Sequence, residues 1–121
     1  MNFDTSHQMA RAFLRAVQAW HLNDEAAGGL IGVAPQVVLA LRSGEPIDLG
    51  DDLKTRMLMV AQLRTALDIC FSPQLANMWM SLSNRGSLFD GATPVDYVAQ
   101  HGWPGLYLVL CQVQARAVGN D

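Results

Sequence analysis

The sequence predicts an all-α protein that folds as one small domain of six to seven helices. Apolar residues recur at intervals of three and four along most of the chain, which is the spacing of one helix face. No convincing strand pattern interrupts them. Half of the 121 residues are hydrophobic and 16% are charged, so the chain carries enough apolar surface for one real core.

The first predicted helix starts after Thr5 and Ser6, both competent N-caps. Its apolar positions recur at helical spacing and are Met9, Phe13, Val17 and Trp20. Arg11 and Arg15 fall on the opposite, solvent-facing side. The pattern therefore predicts an amphipathic helix that packs one face against the rest of the chain.

Two short helices follow, joined by a glycine-bearing turn. Asn23 is expected to cap the first, Gly32 to end it, and Pro35 to begin the second, which runs to Ser43 and Gly44. This is a helix-turn-helix shape, but αα-hairpins are common and most of them never touch DNA. The shape alone therefore leaves the function open.

The second of these helices offers few groups to a nucleic acid. Gln36 and Arg42 are its candidate DNA contacts, whereas a reading helix commonly displays several polar and basic side chains. The net charge is −3 and the pI about 5.4, so any DNA binding must be local, dimer-assisted or weak. The nearly apolar surface equally favours dimerisation through this region.

The turn-rich segment SGEPIDLGDD is the predicted boundary between an N-terminal region, 1–48, and a C-terminal region, 49–121. Asp51 or Asp52 is expected to cap the longest helix, roughly 52–71. Ser72 and Pro73 then stop it and begin another, over about 73–82.

The segment LFDGATPVDYVAQHGWPG combines turns with two helix starts. Thr93 is expected to cap a short helix that ends at Gly102, and Trp103 with Pro104 to open the last helix. One stripe of that helix contains Leu106, Leu110, Val113 and Ala117, and Tyr107, Leu108 and Cys111 widen the apolar face.

The sequence carries no recognisable catalytic or cofactor motif. It lacks the glycine-rich dinucleotide and phosphate loops and the nucleophile elbow, so we predict no enzyme, no small-molecule substrate and no cofactor. Cys70 and Cys111 are far apart and are expected to be buried and reduced, and no metal-ligand spacing occurs. A signal peptide and a membrane-length apolar run are missing, which predicts a cytoplasmic protein.

Two segments resemble the Xre/MbcA/ParS antitoxin family. WHLNDEAAGGLIGV, residues 20–33, is similar to the degenerate helix-turn-helix opening of that family. ANMWMSLSNRGSLFDGATPVDYV resembles its toxin-binding domain, in which a tryptophan precedes an asparagine-bearing loop, a glycine and a Thr/Ser-Pro helix start. The matching positions are Trp79, Asn84, Phe89, Gly91, Pro94, Val95 and Gly102. The resemblance extends from about residue 20 to residue 118.

The resemblance implies the antitoxin of a type II toxin–antitoxin pair. The implied partner is a RES-domain toxin that consumes NAD⁺, bound by the C-terminal region with the chain's last segment at the active-site entrance. The implied antitoxin dimerises, and many relatives bind their own operator DNA through the N-terminal region. The residues expected to bind the toxin are Trp103, Tyr107, Arg116, Asn120 and Asp121. The alternatives are a helix-turn-helix transcription regulator without a toxin, and a localisation or structural factor.

Overall fold

The computed structural model describes residues 3–45 and 47–119, and six α-helices and one short 3-10 helix lie within them. The α-helices are α1 (Phe3–Ala19), α2 (Asp24–Ile31), α3 (Pro35–Arg42), α4 (Gly50–Cys70), α5 (Pro73–Met78) and α6 (Pro94–Ala117). The 3-10 helix, Trp79–Ser81, follows α5 directly. The predicted all-α class is confirmed.

The helix-turn-helix shape of α2 and α3 forms as predicted. Asn23 caps α2, since its side-chain oxygen accepts a hydrogen bond from the backbone N–H of Ala26 at 2.8 Å. Gly32 ends α2 in the left-handed region, and Pro35 occupies the first turn of α3. The two helices meet at 103°, within the range typical of this motif.

No single helix in the described residues is long and apolar enough to cross a membrane; only this bent pair, taken together, has the length and composition.

The starts of α1 and α4 differ from the predictions. α1 is already helical at Phe3, so Thr5 and Ser6 lie inside the helix and do not cap it. α4 begins at Gly50 after Leu49, which provides no side-chain cap. Asp51 and Asp52 are therefore first-turn residues, where a carboxylate interacts favourably with the positive end of the helix dipole.

A sharp break divides α6 into two segments, 94–101 and 103–117. Thr93 caps the first segment, as predicted, by accepting a hydrogen bond from the backbone N–H of Asp96 at 3.2 Å. Gly102 has φ 68° and ψ −155°, a conformation that is open essentially to glycine alone. Pro104 then falls in the first turn of the second segment. The predicted break at Gly102 is confirmed.

One continuous hydrophobic core spans the residue 48/49 boundary. α1 packs on α4, and α2 packs on α6, so each half of the chain buries its apolar face against the other half. The largest fully buried side chains are Phe13, Leu30, Ile31, Met57, Leu63, Leu67, Met80 and Leu106. Regions 1–48 and 49–121 therefore share one core, in which α4 also packs extensively on α6.

The burial of the cysteines differs from the prediction. Cys111 is exposed and Cys70 only half-buried, and both are free thiols. The stripe of α6 that faces the core is occupied by Leu106, Leu110 and Val113, which leaves Cys111 on the opposite side of the helix. The Cys70 thiol donates a weak hydrogen bond to the carbonyl of Val113 at 3.6 Å, which ties the end of α4 to α6.

Candidate partner-binding surface

The second segment of α6 carries an uncovered apolar surface. Trp103 and Tyr107 are each 50% exposed, Leu108 is 48% exposed, and Val118, just past the helix end, is 71% exposed. We refer to these four side chains, together with Cys111, as the α6 surface. Several large exposed apolar side chains on one helix are a candidate interaction site, whereas single exposed apolar residues are ordinary.

The break at Gly102 sets the direction of the helix segment that carries the α6 surface. Trp103 and Tyr107 are one helical turn apart, so their side chains lie on the same side of the helix. The first turn after the break packs closely on the helix before it, because a Cβ at Gly105 would stand 2.7 Å from the Cβ of His101. The close approach fixes the second segment relative to the first, and thereby the direction of Trp103 and Tyr107.

Trp103 borders a groove of about 250 Å³ against the start of α4. The groove is also lined by Asp52, Thr55, Arg56 and Met59. Arg56 donates a hydrogen bond from Nη1 to the carbonyl of Ile31 at 3.1 Å, which caps the C-terminal end of α2 from a neighbouring helix. The same guanidinium therefore joins the helix-turn-helix region to the groove beside Trp103.

A second, larger groove of about 600 Å³ runs between α4 and the end of α6. Its lining side chains carry no charge: Gln62, Thr65, Ala66, Ile69, Cys111, Gln114, Ala115, Ala117 and Val118. Ile69 is 64% exposed at its rim. Low charge and exposed aliphatic groups are typical of the central part of a protein–protein interface.

Tyr107 carries the one clear pKa shift among the described residues. A side-chain hydrogen bond with Cys111, one turn further along α6, raises the pKa of the Tyr107 phenol above its usual value. The proximity of the Cys111 charge acts in the same direction. The phenol therefore stays neutral and offers a partner an apolar ring with a polar tip.

Arg116 lies apart from the other predicted toxin contacts. It follows Trp103 by thirteen positions, which places it about 20 Å further along the helix axis. It is exposed in the last turn of α6, and its guanidinium carbon stands 4.9 Å from the centroid of the Phe71 ring. The structure thus brings Trp103 and Tyr107 together and leaves Arg116 at the other end of the surface. Asn120 and Asp121 lie outside the described residues.

The family-matching residues of the loop before α6 stabilise that loop through hydrogen bonds and ring packing. The side chain of Asn84 accepts a hydrogen bond from the backbone N–H of Gly86 at 2.8 Å, and its backbone pairs with Gly91 and Ala92 at 2.8 and 3.1 Å. The buried Phe89 ring packs edge-on against Trp79 and Tyr97, with centroids 5.8 and 5.4 Å apart. These contacts close the loop and hold it against α6.

The predicted DNA contacts lie on α3. Gln36 is exposed. Arg42 forms an ion pair with Asp24 of α2, with 2.7 Å between Nε and Oδ1. The Asp24 carboxylate offsets the charge of Arg42, so α3 presents little net positive charge to a phosphate.

The sequence analysis missed several exposed apolar side chains on α4, on α5 and just after the 3-10 helix. They are Leu58, Ile69, Leu75, Met78 and Leu82. A signal was available for Leu58 and Ile69, since both fall outside the core stripe of α4 that contains Met57, Val60 and Leu67. An apolar residue off the main stripe of an amphipathic helix is a candidate surface contact.

In residues 3–45 and 47–119, no three His, Cys, Asp or Glu side chains cluster closely enough to hold a metal ion.

Comparison with known proteins gives one informative likeness. No protein-family model and no curated protein matches the sequence. Among solved structures, the chain is similar to a chain of the crystal structure of the M. tuberculosis MbcT–MbcA toxin–antitoxin complex. The identity is 25% and the TM-score 0.64, over 93% of this chain and 96% of that chain. The likeness confirms the resemblance to MbcA-type antitoxins, and it extends over both halves of the molecule.

Proposed function

We propose that this chain is an antitoxin that binds a toxin protein and neutralises it by covering its active site. The observation that carries the proposal is the α6 surface, a set of large apolar side chains that are exposed in the described part of the chain. The near full-length likeness to a chain of a toxin–antitoxin complex supports the same role. Neutralisation by binding needs no catalytic group on the antitoxin, because it only has to exclude the toxin's substrate.

The chemistry of the surface fits a protein partner. Tryptophan and tyrosine are enriched among the residues that dominate binding energy, since each buries a large rigid area and keeps a hydrogen-bonding group at its edge. Trp103 and Tyr107 provide two such anchors one turn apart. The uncharged groove beside Cys111 and Val118 extends the apolar area towards the end of α6.

The family resemblance supplies the finer parts of the proposal. The toxin is a RES-domain enzyme that consumes NAD⁺, the antitoxin acts as a homodimer, and the N-terminal region mediates dimerisation. Toxin binding belongs to region 49–121, with the last residues of the chain at the active-site entrance of the toxin.

Co-expression with the product of the adjacent gene tests the proposal. We expect the neighbour to arrest growth when it is expressed alone, to be harmless together with this chain, and to co-purify with it. Measurement of NAD⁺ in the same cells checks the RES assignment, since depletion should occur only without the antitoxin. A neighbour that neither inhibits growth nor co-purifies contradicts the proposal.

Substitution of Trp103 locates the binding surface. Trp103→Ala is expected to weaken toxin affinity by about 30-fold, the effect of losing about 2 kcal/mol at a central aromatic anchor. The fold should persist, because half of the side chain is already exposed. Leu39→Ala on α3 is the control, since Leu39 is 59% exposed and lies on another helix. Because α3 belongs to the proposed dimerisation region, light scattering checks that this variant has the wild-type oligomeric state. Equal affinities of the two variants, measured by calorimetry, would place the toxin site elsewhere.

Operator binding by the helix-turn-helix region is a second candidate function. The observation in its favour is the 103° angle between α2 and α3. The Arg42–Asp24 ion pair and the scarcity of polar groups on α3 predict weak binding by a single chain. A mobility-shift assay on the upstream DNA, with and without the toxin, decides the question. Unchanged mobility at micromolar protein in both cases would leave the interaction with toxin as the function.

A further inference from the structure

Arg116 is held in place by an aromatic platform. Its guanidinium carbon lies 4.9 Å from the centre of the Phe71 ring, within the range of a favourable cation–π contact. Phe71 is itself held by two contacts. Its backbone N–H donates a hydrogen bond to the carbonyl of Leu67 at the end of α4, and its ring stacks on Trp79 with centroids 6.4 Å apart. Trp79 packs against the buried Phe89. The platform is therefore anchored in the core.

The backbone under Arg116 is also fixed. The carbonyl of Arg116 accepts a hydrogen bond from the N–H of Gly119 at 3.0 Å, and the N–H of Val118 donates to the carbonyl of Gln114 at 3.1 Å. Gly119 has φ 82°, in the left-handed region that ends many helices. The side chain and the main chain at this position are thus both restrained before any partner binds.

The hydrogen-bonding edge of the guanidinium is not used within the described part of the chain. Three other cations, Arg42, Lys54 and Arg64, have a carboxylate within 4 Å, whereas residues 3–45 and 47–119 place none beside Arg116. The contact with the Phe71 ring supplies no oxygen acceptor, so the N–H groups along the edge of the guanidinium keep their capacity for hydrogen bonds to oxygen. That edge matches the two oxygens of a carboxylate, which it binds through two parallel hydrogen bonds.

We propose that Phe71 is a positioning residue that presents Arg116 to an aspartate or glutamate side chain of the protein partner. The inference rests on the proposed function and adds to it the chemistry of one contact and the residue that orders it. Preorganisation lowers the entropy lost when a long side chain is immobilised at an interface. The apolar α6 surface then supplies contact area, and the Phe71–Arg116 pair supplies a directional ionic contact at its far end.

A double-mutant cycle measures the coupling between the two residues. With the toxin captured by co-purification as the probe, Arg116→Gln is expected to weaken affinity by about tenfold or more, the loss of a charge-assisted pair. Phe71→Leu, which keeps an apolar side chain but removes the ring face, is expected to weaken it by about two- to fivefold. In the Arg116→Gln background, Phe71→Leu should have no further effect.

The cycle distinguishes a role of Phe71 in positioning Arg116 from a role in core packing alone. Loss of core packing would weaken binding by the same factor in both backgrounds, and that result would overturn the proposal. Phe71→Tyr retains the ring face and should restore wild-type affinity. Arg116→Lys leaves the core untouched and keeps the charge but loses the planar fork, so it should bind weakly; wild-type affinity in this variant also overturns the proposal. A wild-type chain that binds no toxin removes the proposed function and this inference together, whereas an Arg116→Gln variant with full affinity removes only this inference.

Discussion

The α2–α3 pair and the two segments of α6 are both helices interrupted at a glycine of positive φ, and they differ in the side chains that surround the break. Gly32 has φ 74° and ψ 34°, and the carbonyl before it is capped by the Arg56 guanidinium of α4. Gly102 has φ 68° and ψ −155°, and the residue after it is the half-exposed Trp103. The first break is covered by the protein's own side chains, and the second presents an aromatic group to solvent.

The charges of the two regions differ in the same way. Arg42 of α3 forms an ion pair with Asp24 of α2, so both charges of this pair belong to the helix-turn-helix region. Arg116 of α6 contacts the Phe71 ring, and no carboxylate of residues 3–45 and 47–119 lies within 4 Å of it. A chain break and an arginine therefore do not by themselves indicate a binding site. The contacts made by neighbouring helices decide whether such a feature is internal or is offered to a partner.

Leucine truncations should give the largest effects and sharpen the comparison. Leu41→Ala in α3 and Leu106→Ala in α6 remove buried side chains, so each should lower the free energy of unfolding by about 2–5 kcal/mol. Leu39→Ala and Leu108→Ala, on the exposed sides of the same helices, should change it by less than about 0.5 kcal/mol. Urea denaturation measures all four. The two exposed variants should differ in toxin affinity, because only Leu108→Ala is expected to weaken it. Equal affinities would contradict the conclusion that α6, and not α3, binds the toxin.

Alanine at the two break glycines is expected to have intermediate effects. Gly102→Ala should cost about 1–3 kcal/mol, since its backbone conformation is nearly inaccessible to other residues. Gly32→Ala should cost about 1–3 kcal/mol, since Gly32 has a positive φ and the added Cβ would crowd Nη1 of Arg56, which must shift. Thermal unfolding measures both losses.

Toxin affinity distinguishes the two glycine variants. Gly102→Ala changes the direction of Trp103 and should weaken binding of the folded protein, whereas Gly32→Ala should leave it nearly unchanged. Weakened binding by Gly32→Ala would mean that the Arg56 contact transmits a change from α2 to the groove beside Trp103.

Removal of the two side-chain caps should give the smallest effects. Asn23 caps α2 with a 2.8 Å hydrogen bond, and Thr93 caps α6 with one of 3.2 Å. Asn23→Ala and Thr93→Ala should each lower stability by about 1 kcal/mol, the usual value of an N-cap. Asn23→Ser and Thr93→Ser keep the oxygen and are the matched controls. A serine variant that loses as much as the alanine variant would show that the cap bond is not the cause.

The helix starts and stops were largely predictable because they depend on residues close together in sequence. An N-cap at Asn23 or Thr93 needs only a side-chain oxygen within reach of an amide three residues ahead. A break at Gly102 needs only glycine's backbone freedom, and Pro35 needs only its fixed φ. The errors at Thr5, Ser6, Asp51 and Asp52 arise because a polar residue ahead of an apolar run satisfies the local rule without being the cap; α1 is already helical at Phe3, and α4 begins after Leu49 without a side-chain cap.

The candidate site was only partly predictable. Trp103 and Tyr107 were expected as toxin contacts from the family resemblance, whereas helical spacing alone placed Tyr107 beside the core stripe of the last helix; both side chains are half-exposed. Ile69 and Cys111 were not predicted to be exposed, because both lie in apolar runs that suggest a buried position. The platform under Arg116 joins positions 71 and 116, and no pattern within a single helix links residues so far apart.

By itself, the sequence determined the helical class, most helix boundaries, the two glycine breaks and the resemblance that points to an antitoxin. All of these depend on backbone conformations and hydrogen bonds formed within a few residues of the chain, or on short motifs. The tertiary structure alone decided which apolar side chains remain uncovered, which arginine is paired internally and which is held on a ring. Those outcomes depend on how helices far apart in sequence pack, because a helix with apolar residues on several faces buries only the faces that another helix reaches.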